Sequence, residues 1–221
     1  LDLYKSHPNF TFFEFNLADK ASYSVLPNDI DVVIHLAAKA GVQPSLKDAP
    51  DYIETNIMAS NNLLEFMKQH DIKKMLFASS SSVYGNNKKV PFSEDDSVDN
   101  PISPYAATKK SGELACHAFH HLYGFDVVCL RFFTVFGPRQ RPDLAIHKFT
   151  DLIFQDKSIP VYGNGETQRD YTYISDIVEG ILSSINQVSG YEIINLGESR
   201  TIKLSALIEL LEKTIGKQAI I

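Results

Sequence analysis

Tyr105 and Lys109 stand four residues apart in "SPYAATKK" (residues 103–110), directly after a proline. On a helix, positions i and i+4 lie on one face, so the phenol and the ammonium become neighbours. Such a pair reads in two ways, as surface decoration or as a phenol turned into a base by the charge beside it. An unperturbed phenol has a pKa near 10 and is only about 0.3% ionised near pH 7.5. Lowering that pKa by about three units takes about 4 kcal/mol of differential stabilisation, which a nearby cation helps to supply. The same spacing recurs at Tyr84 and Lys88, but there it reads "YGNNK". Gly and two Asn predict a turn, so the second copy is expected to be a decoy.

A base on a helix needs a frame that holds it beside a substrate. Short β-branched and aromatic runs alternate with longer amphipathic stretches along the chain. "FTFFEF" (10–15), "DVVIHLA" (31–37), "KMLFAS" (74–79) and "FDVVCLRF" (125–132) predict strands, and "YEIINLG" (191–197) predicts a later one. Between them, 49–70 and 104–123 carry apolar residues at three- and four-residue steps, which predicts helices. Continuous apolar strands separated by helices predict an α/β fold, a doubly wound parallel sheet covered on both faces.

Ligands in such sheets bind beyond the carboxyl ends of the strands. The residues of interest are therefore "LAAKAG", "SSSSVYG" and "FFTVFGPRQR", each following a predicted strand. After residue 132 the pattern loosens into "TVFGPRQRPD" and "VYGNGETQRDY", rich in Gly, Pro and Arg. Residues 133–175 are expected to form a smaller region laid over the strand ends, with 176–221 returning to the main unit of 1–132. His35 sits inside an apolar strand and is expected to be a buried, hydrogen-bonded histidine rather than a catalyst.

The chain of 221 residues is 44% hydrophobic and 22% charged, ordinary for a globular protein of one domain with an appendage. A net charge of -6 without any basic run argues against a nucleic-acid partner. Cys116 and Cys129 form neither a metal-ligand spacing nor a disulfide framework, which suits a reducing cytoplasm and no bound metal. No apolar run approaches the roughly 20 residues of a membrane span. The chain begins "LDLYKSHPNF" without Met, so the lack of a leader there carries little weight.

Taken in order, "DVVIHLAA", "ETN" before Ile57, "FASSSSVYG", "SPYAATK", "LRFFTVFGPRQRPD" and "RDYTYISDIVEGI" resemble the extended short-chain dehydrogenase/reductases, within them the nucleotide-sugar epimerases and dehydratases. The match runs over nearly the whole length and is far more specific than Tyr-x-x-x-Lys alone. It implies a Rossmann-like fold with NAD as cofactor. The family's Gly-rich dinucleotide loop is missing: the one Gly-x-Gly, Gly163-Asn164-Gly165, falls far downstream and predicts a turn. The chain then lacks the first two strand-helix units and a C-terminal segment, as a fragment of a longer enzyme would. Residues 1–132 become a partial NAD-binding domain.

The resemblance also assigns roles. Tyr105 is the base that takes a sugar hydroxyl proton while hydride leaves for NAD, Lys109 binds the nicotinamide ribose, and Ser80 relays the proton. Asn16, Leu17, Ala37, Ala38 and Asn56 align with cofactor contacts. Arg169 matches an arginine on the nucleotide diphosphate, a group that suits a forked guanidinium. Tyr162 is expected against the uracil. Helices 49–70 and 104–123 correspond to those that form a homodimer bundle.

Ser81 and Ser82 stand where the dehydratases carry an acid and a base, so water elimination is not expected. With Thr134 and Arg141 they resemble the relatives acting on uronates, in which such residues contact the C6 carboxylate. The resemblance therefore implies C4 epimerisation of a UDP-sugar, UDP-glucuronate to UDP-galacturonate, through a 4-keto intermediate. The alternatives are a UDP-glucose or UDP-N-acetylglucosamine 4-epimerase, or a non-catalytic NAD-binding protein. Gln43 and Pro44 depart from the uronate pattern, which often carries an arginine there.

Overall fold

The computed structural model describes residues 3–161 and 165–221. In chain order come β1 (Val32–His35), α1 (Val42–Ser45), α2 (Ala49–Tyr52), α3 (Ala59–Gln69), β2 (Lys74–Ser80), α4 (Pro104–Tyr123) and β3 (Asp126–Phe132). Then follow β4 (Thr134–Phe136), α5 (Ala145–Phe154), β5 (Gln168–Tyr173), α6 (Ile174–Gln187), β6 (Tyr191–Leu196), β7 (Thr201–Lys203) and α7 (Leu204–Ile215).

The main sheet has the order β1-β2-β3-β6, and all its neighbouring strands are parallel. Strand residues alternate between the two faces. Met75, Phe77, Val127 and Cys129 pack with Leu63, Leu64 and Met67 of α3. Leu76, Val128 and Leu130 pack on the other face with Ile181 and Ile185 of α6. Burial on both faces explains why β2 and β3 read as unbroken apolar runs.

The helix bearing the Tyr–Lys pair is delimited at both ends. Ser103 accepts a hydrogen bond from the Ala106 amide at 3.1 Å, and Pro104 occupies the first turn. At the far end Gly124 adopts φ +67, and its amide closes on the His120 carbonyl at 2.9 Å. Gly112 lets α4 lie close on the sheet, since a Cβ there would come within 2.1 Å of the Phe77 ring.

Three differences from the sequence expectation stand out. Residues 10–15 form no strand: no strand among the described residues pairs with them, and Phe12 and Phe13 stay 43% and 38% exposed. β propensity alone does not make a strand without a neighbour to complete the ladder. The helix expected over 49–70 is interrupted between α2 and α3 by a π-helical turn, Ile53–Met58, which contains the buried Asn56. Residues 201–215, expected in the main unit, join the smaller layer instead. There β7 pairs antiparallel with β5, β4 pairs parallel with β5, and Ile208 of α7 packs with Phe149 and Ile153 of α5. Tyr162, Gly163 and Asn164 lie outside the described residues. No helix among the described residues is long and apolar enough to cross a membrane.

His35 is 5% exposed, with Nε2 2.9 Å from Ser60 Oγ. The Ser60 hydroxyl donates to the Asn56 carbonyl at 2.6 Å, so it must accept from the imidazole, which is neutral with its proton on Nε2. Burial, and then the Lys109 charge, pull this imidazole down to about 4. An unfolded histidine, near 6.5, takes a proton that the folded protein refuses. Stability is therefore full above pH 6.5 and is lost as pH falls from 6.5 towards 4. Between pH 7 and 4.5, His35→Gln should lose about 2 to 3 kcal/mol less than wild type in urea denaturation. Equal losses in the two proteins would refute the assignment.

Candidate active site

Three segments at the carboxyl end of the main sheet converge on the first turn of α4. The loop after β1 is drawn in by Asn56, whose Oδ1 accepts from the Lys39 amide at 2.8 Å. Its Nδ2 donates to the Lys39 carbonyl and to Thr108 Oγ1, both at 3.0 Å. Thr108 in turn donates to the Tyr105 carbonyl at 2.8 Å. Tyr52 makes a second tie: its hydroxyl donates to the Ala40 carbonyl at 3.1 Å, and its ring meets Tyr105 edge-on at 6.3 Å.

β2 ends at Ser80 and runs into a 3-10 turn, Ser81–Tyr84. Ser80 Oγ accepts from the Ser82 amide at 3.2 Å and from Ser82 Oγ at 3.0 Å. The turn thus presents Ser80, Ser81 and Ser82 as half-buried residues beyond the strand end. Phe132 lies opposite Ser80 in the sheet, which carries the half-buried Thr134 of β4 out beyond the same end.

The third segment brings Arg141. Its Nη2 lies beside Gly41 of the loop after β1, 3.4 Å from where a Cβ would stand. Asp143 occupies the side-on edge of the guanidinium, accepting from Nε at 2.9 Å and Nη2 at 2.8 Å. That hydrogen bond is the main reason the guanidinium is held above its ordinary value. Nη1, on the end-on edge, has no part in the fork.

Burial raises the pKa of Tyr105, and two neighbours oppose it: the Ser80 hydroxyl first, then the positive charge of Arg141. Lys109, the cation expected to act on the phenol, divides its contacts. Lys109 is 5% exposed, its Nζ donates to the Ala78 carbonyl at 2.6 Å, and it lies 5.9 Å from the Tyr105 ring centroid. Burial lowers its own pKa to about 8. The i, i+4 rule brings the two residues to one face, and the strand carbonyl takes one N–H of the ammonium there.

The remaining expected residues are more dispersed. Ala37 is exposed and Ala38 half-buried, just past β1. Asn16 is exposed and turns back on the Ala18 amide at 3.0 Å, while the Leu17 carbonyl accepts from Tyr23 and Asn62. Arg169 is exposed on β5, beside the buried Asp170, whose side chain faces the opposite way and accepts from the Glu198 amide at 3.1 Å. No hydrogen bond described here joins Arg169 to the Tyr105 cluster. Sequence reasoning missed Tyr52, Thr108 and Asp143. Asp143 had a signal, a carboxylate two residues from an arginine that the sequence singled out.

A parallel sheet with Tyr, Lys and Ser gathered beyond its strand ends is the arrangement of a dinucleotide-dependent enzyme acting on a hydroxyl. Residues 2–197 match the model of the NAD dependent epimerase/dehydratase family, and the chain belongs to that family. It is 44% identical over 218 residues to a UDP-glucuronate 4-epimerase of Thermodesulfobacterium geofontis, covering 97% of this chain and 67% of that protein. A UDP-glucuronic acid 4-epimerase from Bacillus cereus, solved with UDP-glucuronic acid and NAD, superposes with a TM-score of 0.91 at 38% identity. That match covers 99% of this chain and 70% of the other. A UDP-N-acetylglucosamine 4-epimerase from Methanobrevibacter ruminantium, in complex with UDP-N-acetylmuramic acid, superposes at 0.90 and 35% identity, covering 98% and 70%. The chain thus spans about two thirds of the length of these relatives.

Proposed function

We propose that this protein is an NAD-dependent UDP-sugar 4-epimerase whose substrate is UDP-glucuronate, interconverted with UDP-galacturonate. The observation that carries the reading is that the serine turn after β2 and the loop bearing Arg141, a proton relay and a carboxylate-binding cation, converge with the loop after β1 on the turn that carries Tyr105. Tyr105 takes the C4 hydroxyl proton through Ser80 and returns it after the 4-keto sugar has turned over. Before that, the phenol must ionise against its burial, and Ser80 and Arg141 are the groups that favour the phenolate.

NAD, when bound, supplies a reversible hydride acceptor, so the reaction is redox-neutral overall. The residues present fit part of a dinucleotide, its nicotinamide ribose and strand-end contacts, without the Gly-rich pyrophosphate loop. Two alanines past β1 leave room for close approach, Asn56 is tied to the loop that follows them, and Asn16 and Leu17 are cofactor contacts by resemblance. Lys109 spends one N–H on Ala78 and keeps two for ribose hydroxyls. Residues 133–175 serve as the substrate-binding region, with Arg169 on the diphosphate and Tyr162 against the uracil. A homodimer through helices 49–70 and 104–123 is supported by apolar side chains left exposed there, Ile53, Met58, Leu114 and Leu122. A cytoplasmic location is supported by two buried cysteines that remain free thiols.

Arg141 sets the choice of sugar. A 4-keto uronate is a β-keto acid that loses CO₂ when its carboxylate rotates out of plane. The end-on edge of Arg141, with the hydroxyls of Ser81, Ser82 and Thr134, restrains that rotation. In the full-length enzyme, Arg141→Leu should cost UDP-glucuronate turnover about 1.5–3 kcal/mol more in kcat/KM than it costs UDP-glucose turnover, since only the uronate loses a charge-assisted contact. Equal losses on both sugars, or a wild type preferring UDP-glucose, would replace the assignment with a hexose 4-epimerase. One observation favours that second reading: Asp143 already gives Arg141 a carboxylate partner. Incubation with a panel of UDP-sugars, with products identified by NMR, discriminates the two.

A further inference from the structure

The two ends of the serine turn are tied to one buried ion pair. On the near side of the turn, Ser79 Oγ donates to Glu113 Oε1 at 2.6 Å. On the far side, the Tyr84 hydroxyl accepts from Arg131 Nη1 at 2.9 Å and donates to Asn195 Oδ1 at 2.7 Å. Glu113 and Arg131 join these ends through a fork, Nε to Oε1 at 2.8 Å and Nη2 to Oε2 at 2.9 Å. Glu113 is 0% and Arg131 1% exposed. Ser79, Arg131 and Asn195 lie directly opposite one another across β2, β3 and β6, so the row crosses the sheet one residue before Ser80.

Glu113 belongs to α4, one turn beyond Lys109 and two beyond Tyr105 on the same face. A buried ion pair is weak evidence for stability, because desolvating both charges offsets much of their attraction. What a bidentate fork does supply is direction. This one connects the helix that carries Tyr105 to the strand and turn that carry Ser80, from both sides. As a Tyr–Lys pair the second copy remains a decoy, but the Tyr84 hydroxyl is engaged with Arg131 and Asn195. The Tyr84 ring stacks on Phe92 at 4.5 Å, and burial, opposed by the Arg131 hydrogen bond, raises its pKa and keeps it a neutral donor.

We propose that Glu113, Arg131, Tyr84 and Ser79 are positioning residues that set where Ser80 stands relative to Tyr105 for proton transfer. This rests on Tyr105 being the base. Tyr105 is faced by Ser80 from the turn, Tyr52 from α2, Lys109 from its own helix, and Arg141, itself paired with Asp143, from the loop after β4. Of these, the clamp governs Ser80 alone.

The test uses Tyr84→Phe and Ser79→Ala in the full-length, NAD-loaded protein, with kcat and KM followed across pH on its best UDP-sugar. A weakened Ser80 contact should lower kcat about 10- to 100-fold, with KM unchanged. It should also move the acid limb of the kcat profile to higher pH, because a displaced Ser80 hydroxyl no longer favours the ionised phenol. A loss of melting temperature without change in kcat or in that limb would overturn the proposal and leave the pair a mere staple. If Tyr84→Phe does not fold, Ser79→Ala alone decides by the same two readouts. A wild type that turns over no UDP-sugar would remove the reaction and the proposal together. An active wild type with unchanged variants would remove only the clamp.

Discussion

Tyr105→Phe should retain the fold and lose kcat by about 10²- to 10⁴-fold, the usual consequence of removing a general base. The phenol is half-buried beside Tyr52, and Phe keeps the ring and its edge-on contact. The hydroxyl is what Ser80 and Arg141 act on, so its loss removes the proton acceptor and leaves its neighbours in place. Substrate affinity should change little, because the interaction belongs to the transition state. Retention of more than about a tenth of wild-type kcat would defeat the assignment. Tyr84→Phe is not a silent control for this experiment, since the Tyr84 hydroxyl is buried in the clamp.

Lys109→Met should separate activity from stability in opposite directions. An ammonium whose pKa falls from its ordinary 10.5 to about 8 is charged in the folded protein at neutral pH only against its burial. That penalty is about 3 kcal/mol. It is complete below pH 8 and shrinks to nothing as pH rises from 8 to 10.5, where the unfolded lysine also loses its proton. Methionine escapes the penalty but orphans the Ala78 carbonyl, which costs about 1 to 2 kcal/mol. The variant should thus be about 1 to 2 kcal/mol more stable than wild type at pH 7, and the gain should vanish by about pH 10. Turnover should fall at least 100-fold, in line with stability given up for function at a charged site. A variant less stable than wild type at pH 7 would show that the carbonyl bond outweighs burial.

Much of this protein is determined by its sequence alone. Apolar runs at 74–79 and 125–132 dictate parallel strands buried on both faces, because no polar face is available to meet water. Ser103 and Pro104 start α4 and Gly124 ends it, so Tyr105 must lie in a first turn at the strand ends. Those features are local, and local chemistry is what a sequence shows directly. Who partners whom is different. Lys109 meets the Ala78 carbonyl as well as Tyr105, Arg141 comes in beside Gly41 from a distant loop, and 10–15 forms no strand without a neighbour. Arg131 was hidden inside an apolar run and Glu113 on a helix, 18 residues apart in the chain. Only the register of β2, β3 and β6 puts their charges under the serine turn, because a buried charge takes the partner that packing brings to it.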